Sequence, residues 1–140
     1  MSNGKKLPKD SKDAIIAAAN EAEAPLKALD AKLQEEIDEI AHKAALDGRR
    51  LNDDEFNRTQ ALEAQQGKLR DALDAMDFAT LKKLDTSAEV ASLKTKMDTI
   101  ISGLKKDLDR LQAIARYAET AANVADVLAK VAEKLAAAAA

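Results

Sequence analysis

No cysteine occurs in this chain of 140 residues, which excludes disulfides, thiol nucleophiles and thiolate metal sites. Tryptophan is missing too, and aromatic residues amount to 2% of the chain, as Phe56, Phe78 and Tyr117. A thick globular core draws on such large side chains, so thin layers of leucine, isoleucine and alanine between helices are expected instead. Four glycines and two prolines leave few turn formers. Strand formers are equally sparse, which argues against a sheet. No window approaches about 18 uninterrupted apolar residues, so no membrane-crossing helix is expected. The apolar patch over residues 14–19 is cut by Asn20 and Glu21, and is too short for the core of a signal peptide.

What is present is a mixture of alanine, leucine, lysine and acids. Charged residues make up 34% and hydrophobic ones 46%. That is the composition of long helices and coiled coils. The formal charge of −3 argues against general nucleic-acid binding, and the absence of cysteine suits a cytoplasmic protein. No composition shift divides the chain, so residues 11–140 read as one helical domain. Residues 1–10, with Gly4, Pro8 and several lysines, read as a flexible basic arm that precedes it.

The periodicity predicts three helices. Ile15, Ala18, Ala22, Leu26, Leu29, Leu33, Ile37, Ile40 and Ala44 recur at spacings of three and four, which describes one buried stripe. Ser11 or Asp10 would cap this helix, and Pro25 inside it predicts a kink or a separate short helix before it. Asp47-Gly48 predicts its end, with glycine in the left-handed conformation. Asn52 and Glu55 have capping-box spacing and predict a second helix reaching about Leu84. Its stripe is Leu62, Leu69, Leu73 and Met76, with Thr59, Gln66 and Thr80 at inward heptad positions. These three read as a polar layer that fixes register, or as a groove for a partner helix. Thr86 and Glu89 repeat the capping box, so a third helix begins near Ser87.

That third stripe runs Val90, Leu93, Met97, Ile100, Leu104, Leu108, Leu111, Ile114, Tyr117, Ala121, Val124, Leu128, Val131 and Leu135 without a break in period. Its mean repeat near 3.5 favours left-handed supercoiling. The fold expected is therefore all-α: an elongated antiparallel three-helix bundle or coiled coil with a long C-terminal helix. The outline resembles three-helix coiled-coil modules such as spectrin repeats in architecture alone, because the tryptophan of those modules has no counterpart here. The first two helices would be about 50 Å long and the third about 75 Å. About 15 residues of the third helix, over 120–135, would then lack cover within the chain. Should the helix break near Gly103 and fold back, a four-helix bundle results and the overhang disappears.

Chemistry-bearing patterns are few. "EIAH", Glu39 to His42 with Glu35 one turn earlier, has the spacing of half a di-iron carboxylate site. His42 is the single histidine, so one chain cannot complete such a site, and a solvated helix face is the plainer reading. Paired acids such as Asp53-Asp54 are explained by helix capping and solvation. Neither a nucleophilic triad nor a phosphate-binding glycine loop can be assembled. No enzyme activity, cofactor or metal is expected. The expected function is that of a helical interaction protein, an adaptor, chaperone, inhibitor or assembly component. It would bind a protein partner or self-associate, as a homo-oligomer, through the C-terminal stripe of Tyr117, Ala121, Val124, Val127, Leu128, Val131 and Leu135. Deleting the residues after Ala118 would then leave the bundle folded. The alternative is an amphipathic bundle that binds or remodels a lipid surface, helped by the basic arm; tryptophan's absence weakens its anchoring.

Overall fold

The computed structural model describes residues 4–114 and 116–140. Within them lie α1 (Lys9–Leu46), α2 (Asp53–Ala75), α3 (Phe78–Lys82), α4 (Ser87–Ile114) and α5 (Ala118–Ala139). The expected all-α bundle is what forms, in its four-helix version. The long third stripe is divided between α4 and α5, and the division falls after Ile114, not near Gly103. α4 packs on α5 and α2, while α1 packs on α5 and α2, closing a ring of four long helices. Short connections make consecutive helices run antiparallel around that ring, the up-down-up-down arrangement. α3 is a single turn that bridges α2 to α4 and touches α1.

The ends of the elements follow local chemistry. Asn52 accepts the Glu55 backbone N–H at 2.8 Å, and the Glu55 carboxylate accepts the Asn52 N–H at 3.1 Å. This reciprocal pair satisfies two orphan donors at the start of α2. Thr86 and Glu89 do the same for α4, at 3.3 Å in both directions. Gly48 has φ +64°, a left-handed turn that an L side chain disfavours, and it stops α1 as expected. Two local expectations fail. Pro8, without a side-chain cap, precedes α1 where Ser11 or Asp10 was expected, and the separate short helix before Pro25 does not form, since α1 passes through that residue as one helix of 38 residues. Packing explains the second: Ala22, Leu26 and Leu29 flank Pro25 and are fully buried. α2 also stops early, at Ala75, because Asp77 accepts the Ala79 N–H at 3.2 Å and starts α3.

The expected flexible arm is docked from residue 4 onward; residues 1–3 lie outside the described residues. Leu7 N–H donates to the Asp85 carbonyl and Ser87 N–H to the Lys5 carbonyl, both at 2.8 Å, around an antiparallel bridge of Lys6 with Thr86. A Cβ on Gly4 would stand 2.5 Å from the Ala88 backbone nitrogen, so glycine is needed for the arm to close on α4.

The core is a column of leucines with alanine where helices approach closely. Leu26, Leu29, Leu33, Leu62, Leu69 and Leu128 are wholly buried. α2 is the least amphipathic member, carrying Gln65, Gln66, Gly67 and Lys68 at its middle. Gly67 is exposed, and nothing lies within 4 Å of where its Cβ would be. A helical glycine costs about 1 kcal/mol relative to alanine. Gly67→Ala is therefore expected to stabilise the protein by about that amount, read as a higher urea midpoint at an unchanged slope. A lower midpoint would show that this turn of α2 needs its glycine.

Candidate interaction surface

The C-terminal stripe is not an overhang. Tyr117, Ala121, Val124, Leu128, Val131 and Leu135 are all buried and Val127 is half-buried, within the core formed with α1 and α4. The cover expected from a partner comes from the chain itself. The reason is the turn after Ile114. There Arg116 N–H donates to the Ile114 carbonyl at 3.0 Å, and the Tyr117 carbonyl accepts from Ala121 at 2.8 Å to begin α5. Arg116 then reaches α1, with its guanidinium 3.0 Å from Glu36 and 2.8 Å from Glu39. Its guanidinium carbon also lies 5.8 Å from the centre of the Tyr117 ring. The Tyr117 hydroxyl, with Glu39 and Glu36, raises the guanidinium's affinity for its proton above the ordinary value.

The same contacts settle where the residues of "EIAH" stand. Glu39 is engaged with Arg116, and His42 and Glu35 are exposed on the outer face of α1. Among the described residues no three acids or histidines converge as metal ligands.

The inward polar positions divide. Gln66 is buried and donates to Gln34 Oε1 at 3.0 Å and to the Asp30 carbonyl at 3.5 Å, locking α2 to α1. Thr59, half-buried, donates to the Glu55 carbonyl of its own helix at 2.9 Å. Thr80 is exposed on α3. One position of the three therefore joins two helices. Sequence reasoning missed its partners on the other side of α2, where Gln65 donates to Asp107 at 2.8 Å and Lys68 pairs with Asp107 and with the Gly103 carbonyl. Lys68, then Gln65, hold the Asp107 carboxyl below its ordinary range.

Among the described residues, three large apolar side chains remain exposed: Leu46 at 73%, Phe56 at 51% and Phe78 at 54%. Leu46 and Phe56 lie at the end of the bundle built by the α1–α2 turn. Their signal in the sequence was displacement: neither belongs to a stripe, since Phe56 is six residues from Leu62. Separately, an open groove of about 670 Å³ runs between α2 and α4. Asn57, Arg58, Ala61 and Ala64 line it from α2, and Arg110 and Ile114 from α4. Alanines here leave room for another helix to approach. A smaller concavity at the opposite end is framed by Phe78, with the Lys82 ammonium 5.3 Å from its ring centre.

The turn that presents Phe56 is held rigidly. Glu55, 8% exposed, forms a bidentate pair with Arg49, which also meets Asp47 at 3.4 Å. The Arg49 hydrogen bonds, with the Asn52 N–H, lower the Glu55 carboxyl from 4.5 to about 2. A depressed carboxyl stabilises the folded chain above its unfolded value, and that contribution is lost as the pH falls from about 4.5 toward 2. Glu55→Gln is therefore expected to flatten the loss of stability over that interval, measured by urea unfolding at stepped pH. An unchanged acid slope would remove Glu55 from the account.

No family model, curated protein or solved structure matches this chain.

Proposed function

We propose that this chain is a helical interaction protein, an adaptor, chaperone, inhibitor or assembly component rather than an enzyme, that receives a partner helix in the α2–α4 groove. The observation carrying this reading is the groove itself, open, with Ala61, Ala64 and Ala113 in its floor and Asp54, Asn57, Arg58, Gln60 and Arg110 around them. Helix-in-groove docking needs small residues below, an apolar contact and polar edges, and Ala61, Ala64, Ile114, Arg58 and Arg110 supply them. The partner is a second protein or a second copy of this chain. The cysteine-free composition suits a cytoplasmic setting. The test compares the unmodified protein with Ala64→Arg and Ala113→Arg, by light scattering for self-association and by pull-down for other partners. Both positions are exposed, so circular dichroism should stay helical while association is lost. Association retained by both variants refutes the groove.

One observation favours a second reading, a lipid-surface protein. Phe78 is exposed beside Lys82 and Lys83 at the end of the bundle where the docked arm brings Lys5 and Lys6. An aromatic residue among lysines suits an anionic interface. Flotation with anionic vesicles at low salt distinguishes the two, since absence of binding eliminates the lipid reading.

A further inference from the structure

α2, α3 and α4 each begin on a side chain that caps them, namely Asn52, Asp77 and Thr86. α5 begins differently, at Tyr117, with φ −120°, ψ −2° and no side-chain cap. Its first backbone N–H groups would find acceptors inside a helix that ran on from α4. The sequence allows that helix. Neither glycine nor proline stands between Ile114 and Ala118, and the apolar stripe keeps its spacing of three and four through Leu111, Ile114, Tyr117 and Ala121. One continuous helix over α4 and α5 would therefore present a single apolar face. What closes the hairpin is the packing of α5 on α1 and α4, with Arg116 meeting Glu36 and Glu39. A second copy of this chain offers identical surfaces.

We infer that this chain forms a domain-swapped dimer, in which the turn opens, α4 and α5 join into one helix, and α5 packs on α1 and α4 of a second copy. The contacts that α5 makes within its own chain are remade there. The direction fits as well. α5 runs antiparallel to α4 in the hairpin, and two joined helices crossing antiparallel at their turns restore that pairing about a two-fold axis. Exchange also sets the two bundles end to end. The α4–α5 turn shares its end of the bundle with the α1–α2 turn, since Asp54 and Asn57 of α2 line the same groove as Ile114 of α4. Leu46 and Phe56 stand exposed at that end, where a second copy would cover them. The exchange leaves the α2–α4 groove unused, so it stands whether or not the groove takes a helix.

Closure within one chain through a short turn competes at an effective concentration of roughly millimolar. The unmodified protein, refolded from urea at millimolar concentration, is therefore expected to give a dimer beside the monomer. Size exclusion should separate the two, and the dimer should revert slowly on dilution, because α5 must leave the core. The groove is then tested on the separated monomer, while Ala64→Arg, on the exposed side of α2, should keep this dimer. In a dimer refolded from equal parts of two differently isotope-labelled chains, filtered nuclear Overhauser spectra should connect α5 methyl groups of one copy to α4 of the other. Inserting Gly-Ser-Gly between Arg116 and Tyr117 lengthens the turn at little cost but interrupts the joined helix. That insertion is expected to abolish the dimer while the monomer stays folded. Refolding to monomer alone at millimolar concentration, a dimer whose α4–α5 contacts all lie within one copy, or an insertion variant that dimerises as readily would each overturn the inference. If the insertion variant does not fold, the two measurements on the unmodified chain still decide it.

Discussion

A chain ending at Ala118 is expected to lose cooperative thermal unfolding and most of its helical signal. α5 closes the ring, covering both α1 and α4. Its Ala121, Val124, Leu128, Val131 and Leu135 are at most 3% exposed. Burying a valine or leucine side chain stabilises by about 1.5–3 kcal/mol, and removing α5 also exposes the α1 and α4 leucines that face it. Several such losses exceed the roughly 5–15 kcal/mol that holds a domain of this kind together. The opposite outcome, a folded bundle after truncation, follows from the overhang reading of the same residues. Circular dichroism during a thermal ramp separates them, and a sharp transition in the truncated chain would falsify the four-helix account of stability.

Truncating one core side chain tests the same point more gently. Leu128→Ala is expected to cost about 2–5 kcal/mol, the range for a leucine deleted from a packed core. Leu128 has no exposed surface. Lys130, two residues on, is exposed, and Lys130→Ala should stay within about 0.5 kcal/mol of the parent. Urea unfolding of the pair is the measurement. Equal midpoints for the two variants would mean that α5 lies outside the cooperative core.

The two expectations rest on the turn between α4 and α5, and that turn is what the sequence concealed. From Val90 to Leu135 the apolar period never falters, and no glycine or proline stands between Ile114 and Ala118. A continuous heptad pattern is compatible with one long helix or with two shorter ones that present the same face inward. What separates them lies elsewhere in the chain, in the faces of α1 and α4 that cover the α5 stripe, with Glu36 and Glu39 of α1 meeting Arg116 at the turn from about eighty residues away. Glu39 has the spacing of a ligand pair with His42, whereas its partner Arg116 is not legible from local spacing. Gly103, the local signal for a bend, instead continues α4 and lets Lys68 approach, with its Nζ 3.0 Å from the Gly103 carbonyl. The groove was hidden for a related reason. Ala61 and Ala64 look like any helical alanines until α4 is laid beside them.

By itself the sequence determined the helical class, the caps at Asn52 and Thr86, the stop at Gly48 and which side of each helix is apolar. These depend on neighbours within four residues, where hydrogen-bonding and periodicity act. The tertiary structure alone decided that α5 folds back, that the C-terminal stripe is core, and that Leu46, Phe56 and the α2–α4 groove remain open. Those outcomes depend on which apolar faces meet. An amphipathic helix buries the same stripe equally well against a partner or against its own chain, and only the balance of contacts across the whole bundle chooses between them.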